Sequence, residues 1–127
     1  MLNFSGNAPI YIQIVEKVKA DIVSGKLKGG DKLPSVREFS ETFKVNPNTV
    51  QRVFQELERE GITYSQRGIG TFIMEGDEIV KNLKTSQAEK YIQRFLSEMT
   101  DLGMSKEEIS EYLLKVLEVS KNEDPRS

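Results

Sequence analysis

Apolar positions recur along this chain at helical spacing, with one alternating stretch between. Tyr11, Ile14, Val15, Val18 and Ile22 share a face at the 3.6-residue period, with Pro9 before them and Gly25 just after. That pattern predicts a first helix. Residues 26–33 read as a turn centred on Gly29 and Gly30, with Leu27 and Leu33 as apolar anchors. Ser35 and Glu38 then form an S-x-x-E capping box ahead of Val36, Phe39 and Phe43, predicting a short helix of about nine residues. After the break at residues 44–46, Asn46 and Pro47 give an N-cap and a first-turn proline. Val50, Val53, Phe54 and Leu57 follow as an apolar stripe at i, i+3, i+4 and i+7, up to Gly61. Two helices joined by so tight a turn read as a helix-turn-helix.

Past Gly61 the period changes. Residues 62–66 alternate and are rich in β-branched and aromatic types, and residues 71–74 form a return strand. The connection Arg67-Gly68-Ile69-Gly70 has two glycines able to take positive φ. The expected core-facing side of this hairpin is Ile62, Tyr64 and Phe72. From residue 77 the helical period returns through Ile79, Val80, Leu83, Ala88, Tyr91, Ile92, Phe95, Leu96, Met99 and Leu102. This is one long helix, or two pieces broken near Thr85–Ser86. Gly103 stops it, and a second capping box, Ser105 with Glu108, opens a final helix bearing Ile109, Tyr112, Leu113, Val116 and Leu117. Residues 1–8 form a polar lead carrying Leu2 and Phe4, and residues 120–127 a polar tail expected to fray.

The expected fold is mostly α with a small β-hairpin. Residues 1–75 would form a winged helix-turn-helix, and residues 76–127 a helical hairpin. The apolar faces of Tyr91, Phe95, Leu96, Leu113 and Val116 are too wide for two helices to bury alone, so a homodimer is expected to cover them.

Composition narrows the chemistry. With no histidine and no cysteine, the chain can hold neither a Ser-His-Asp nor a Cys-His site. Only carboxylates are left for zinc, there is no phosphate loop, and the G-x-G is too short for a dinucleotide fingerprint. An enzyme is not expected, nor a cofactor. No apolar run approaches the ~20 residues that cross a bilayer, so no membrane partner is expected and the cytoplasm is the expected compartment. Net charge is −2, unevenly placed: ten Lys+Arg against nine Asp+Glu in residues 1–75, eight against eleven thereafter.

Opposite the apolar stripe of the third helix lie Asn48, Gln51, Arg52 and Gln55, while Glu56, Glu58 and Glu60 crowd its far end. Amides pair with adenine edges and arginine with guanine or phosphate, so the first half of this helix has the chemistry of a major-groove reader. A solvated helix face would offer the same stripe. The tight turn before it and the arginine-tipped hairpin after it favour double-stranded DNA.

Several runs together resemble the GntR family of bacterial transcription regulators. They are P-I-Y-x-Q-I from Pro9, S-G-K-L-K-G-G-D-K-L-P-S-V-R-E from Ser24, N-P-N-T-V from Asn46, L-E-R-E-G from Leu57 and R-G-x-G-T-F from Arg67. The short C-terminal part is similar to the YtrA-type subgroup, whose two helices there serve dimerisation. The resemblance implies a dimeric regulator, often a repressor, that binds a short inverted repeat, with transporter operons frequent among the targets. It implies DNA contacts from Arg37, from Asn48 and Thr49 at the start of the recognition helix, and from Arg67 and Gly68 in the minor groove. Lys32 and Ser35 join Arg37 as expected phosphate contacts, and Gln51 and Arg52 join the base readers. Fatty-acid-type members carry arginines where this chain has Pro47 and Gln51, so their base code is not expected here. Two helices leave little space in one chain for an effector pocket of ~300 Å³, and an effector is left open. The alternative in another class is a winged-helix adaptor for protein partners.

Overall fold

The computed structural model of the chain describes residues 8–123. The positions expected to anchor the lead, Leu2 and Phe4, lie outside them. Helix α1 (Ile10–Val23) starts where the ring of Pro9 fixes φ at −55°. The amides of Ile12 and Gln13 donate to the Pro9 carbonyl at 3.1 and 3.2 Å. The helix stops at Gly25, whose φ of +85° would strain any other residue type. Its buried face is Ile14, Val15, Val18 and Ile22, joined by Lys19, whose ammonium donates to Glu60 at 2.7 Å.

Helix α2 (Val36–Phe43) begins with the full capping box. The Ser35 hydroxyl accepts from the Glu38 amide, and the Glu38 carboxylate accepts from the Ser35 amide, both at 3.1 Å. It ends on Lys44 in the left-handed region at φ 55°. Helix α3 (Pro47–Arg59) follows at once, its Asn46 side chain accepting from the Asn48 amide at 2.7 Å. Val50, Val53 and Leu57 are completely buried and meet α1, while Phe39 stacks on Phe43 and meets Phe54 edge-on. Each such side chain contributes roughly 1.5–3 kcal/mol through burial.

Strands β1 (Thr63–Gln66) and β2 (Gly70–Ile73) pair antiparallel, with Thr63 opposite Ile73 and Tyr64 opposite Phe72. This register corrects the face expected from the sequence. Thr63 and Ile73 point into the core beside Ile62, whereas Tyr64 and Phe72 stack on each other half-buried on the other face. The turn after α1 holds a further surprise. Residues 31–33 pair with β2 through a single bridge between Lys32 and Phe72: Ile73 donates to the Asp31 carbonyl and Leu33 to that of Thr71, both at 2.8 Å. Leu33 is thereby drawn into the core.

Helix α4 (Asp77–Asp101) is unbroken through Thr85–Ser86. The chain forms two compact units, the first ending at Gln87 and the second starting at Ala88. The first unit includes Ile79, Val80 and Leu83, which pack on the core, so the sequence division after residue 75 falls inside it. In the second unit the Ser105–Glu108 capping box forms as expected and opens α5 (Lys106–Glu123). Helix α5 continues past Ser120, where a frayed tail was expected; residues 124–127 lie outside the described part.

Candidate nucleic-acid interface

The N-terminal half of α3 is held from behind by its buried stripe, and this sets what it presents in front. Asn48 and Gln51 are exposed, Thr49 is half-buried, and the Asn48 and Gln51 side chains make no hydrogen bond among the described residues. Arg52 is exposed too, but its guanidinium lies over the Tyr11 ring of α1 at 3.9 Å. The acids at the far end of α3 are all engaged. Glu56 binds Arg59, Glu58 accepts from the Ser65 hydroxyl at 2.9 Å, and Glu60 accepts from Lys19. The Arg59 hydrogen bond lowers the Glu56 carboxyl below the usual range, and Glu56 in turn raises Arg59. Negative charge is therefore tied down away from the amide-rich end.

Around α3 stand the other expected contacts. Arg37 projects from α2 with its side chain 89% exposed, pairing with Glu41 one turn on at 3.3 Å. An ion pair so open to solvent is weak, and an arriving phosphate competes with it readily. Ser35 is committed to the α2 cap: its oxygen accepts from the Glu38 amide, and its hydroxyl together with its amide holds the Glu38 carboxylate. Lys32 sits on the wing itself: its backbone bridges Phe72, and its aliphatic stem occupies the space a side chain at residue 70 would need. At the tip Arg67 and Gly68 are exposed, Gly68 at φ 80°, beside Ile69 at 58% exposure. The structure thus brings Lys32 to the wing and Arg52 to α1, while Arg37 stays with its own helix.

Sequence reasoning missed two of these. It placed Tyr11 on the apolar face of α1, and only its position near the start of the helix hinted otherwise. It read Ile69 as part of a turn, though a large apolar residue between two glycines at a loop tip was a signal. Among the described residues no cluster of His, Cys, Asp and Glu could hold a metal, and no helix is long and apolar enough to cross a membrane. A shallow cleft of about 210 Å³ lies between the end of α3 and the start of α4, over Ile62, Ile79 and Leu83.

The family model for bacterial regulatory proteins of the gntR family matches residues 10–73, from the first turn of α1 to the end of the hairpin. This chain belongs to the GntR family. This GntR protein is 46% identical to the HTH-type transcriptional regulator YhcF of Bacillus subtilis, over 85% of this chain and 89% of that protein. It is 37% identical to the HTH-type transcriptional repressor YtrA of the same organism, over 87% and 85%. Among solved structures it resembles a GntR family transcriptional regulator from Listeria monocytogenes, with 40% identity, a TM-score of 0.75 and 88% and 98% coverage. The AraR DNA-binding domain in complex with operator ORX1 aligns at a TM-score of 0.54 and 29% identity, over 57% of this chain and 94% of that one. The GntR chain is accordingly a DNA-binding transcriptional regulator of the winged helix-turn-helix class, and not an enzyme.

Proposed function

We propose that this regulator works in the cytoplasm as a homodimer that represses an operon by binding a short inverted repeat. Asn48, Thr49 and Gln51 would read base edges in the major groove, Arg37, Lys32 and Ser35 would hold phosphates, and Arg67 with Gly68 would enter the minor groove. The observation that carries this reading is the pair of amide side chains, Asn48 and Gln51, without a hydrogen bond among the described residues at the exposed start of a helix whose opposite face buries Val50, Val53 and Leu57. Dimerisation is supported by apolar surface. Tyr91, Leu96, Leu113 and Val116 are 44%, 37%, 41% and 57% exposed in the single chain, and Phe95 is half-buried. Residues 1–75 would then be the DNA-binding part and residues 76–127 the dimerisation part, with the start of α4 also completing the core of the first.

Selection from a pool of random duplexes tests this directly. The expected product is an inverted repeat whose half-sites lie about 10 bp, or a multiple, apart. On that operator Gln51→Ala is expected to relax preference at defined base pairs, costing ~1–3 kcal/mol of discrimination. A pool that yields no common sequence, with duplex binding insensitive to salt, would favour a protein-binding adaptor instead.

A further inference from the structure

Arg52 differs from its neighbours on the exposed side of α3. Its guanidinium carbon stands 3.9 Å from the centre of the Tyr11 ring, and Nη2 donates to the Tyr11 hydroxyl at 3.3 Å. Two other arginines of the first unit, Arg37 and Arg59, are each paired with a carboxylate of their own helix. Arg52 is held by a neutral aromatic group, so its whole charge is available to an anion. Nε and Nη1 have no acceptor among the described residues. A ring under a planar guanidinium also fixes its orientation, which lessens the freedom lost when a ligand binds. For reading a base the same arrangement is poor. A bidentate contact with guanine needs the guanidinium extended into the groove, and extension would break both contacts with α1.

We propose that Tyr11 and Arg52 form a preorganised phosphate clamp, in which α1 holds the α3 guanidinium against the DNA backbone and Arg52 sets register without reading sequence. The proposal rests on the DNA-binding reading above and moves Arg52 from the base readers, where its place in the sequence had put it, to the positioning contacts. It also gives Tyr11 a role beyond packing: the ring orients the cation and the phenol fixes its Nη2.

The test is a double-mutant cycle read on two duplexes, the one enriched by selection and a scrambled one of equal length. Arg52→Ala is expected to weaken both by a similar factor, about tenfold. It should leave the selected sequence unchanged and lower the slope of log K against log salt by about 1. Tyr11→Leu, which keeps an apolar residue against the core, is expected to cause a smaller uniform loss. Added to Arg52→Ala it should cost almost nothing more. Tyr11→Phe retains the stack and should lose less than Tyr11→Leu. A new preferred base on Arg52→Ala would make Arg52 a reader and overturn the clamp alone, as would independent, additive losses at the two positions. A wild-type chain that binds neither duplex would overturn the DNA-binding reading and the clamp together.

Discussion

Gly68 and Gly70 look alike in the sequence, as two glycines of one turn, but they are required for different reasons. Gly68 has φ +80°, and a Cβ built there meets nothing within 4 Å. Gly70 has φ +146°, and its Cβ would come within 2.6 Å of the Lys32 Cε. One position carries a backbone cost alone; the other adds a clash with a side chain that was drawn onto the wing by backbone pairing 38 residues upstream in sequence. Gly68→Ala is therefore expected to cost about 1–2 kcal/mol of folding stability. Gly70→Ala should cost more, and Lys32→Ala in the same chain should recover part of that excess. Urea unfolding of these variants measures each step. If Lys32→Ala recovers nothing, the stem is not what fills the space at Gly70. The positive φ could be anticipated from glycine in a tight turn. The approach of Lys32 could not, because nothing near residue 70 in the sequence refers to residue 32.

Among the elements, those governed by nearest neighbours were the most legible. Both capping boxes form where Ser-x-x-Glu stands, since donor and acceptor lie three residues apart. The Ser35 amide and hydroxyl hold the Glu38 carboxyl below its usual pKa. A depressed folded-state pKa means that this contribution is fully present above the unfolded value and fades as pH falls through the folded one. Glu38→Ala is accordingly expected to lower the melting temperature at pH 7 and by less at pH 3. An equal drop at both would show that the charge of the Glu38 carboxylate adds nothing to the cap. The hairpin was less legible. Alternation misleads here because Ile62, just before β1, shares the parity of Tyr64 yet is buried with Thr63 and Ile73. The register settled it, burying polar Thr63 and leaving the two rings to stack on each other.

At the scale of the molecule, the core of the first unit extends into α4 through Ile79, Val80 and Leu83. A stop codon after Met74 would remove all three, whereas one after Gln87 keeps the compact unit whole. The chain ending at Gln87 is expected to fold as a monomer in sedimentation and to bind the selected operator much more weakly than the full chain, since the proposed dimer contacts that would link two DNA-binding units are removed. A dimer of that shortened form would place the interface in the first unit. Residues 1–75 carry ten Lys+Arg against nine Asp+Glu, a small excess for a nucleic-acid partner. In the structure Glu56, Glu58 and Glu60 are engaged by Arg59, Ser65 and Lys19 at the far end of α3, and Arg52 is the one charged side chain among residues 47–52.

The sequence by itself determined the order of elements, the start of each helix after its cap and the family, because those signals act within a turn of the chain or survive as contiguous motifs. Tertiary structure alone decided the pairing of residues 31–33 with β2, the parity of the hairpin, the Lys19–Glu60 ion pair and the stacking of Arg52 on Tyr11. The last two each join residues 41 apart. At that separation no local pattern specifies a partner. Only the packing of α1 against α3 brings a buried lysine to its carboxylate, and an exposed arginine to its ring.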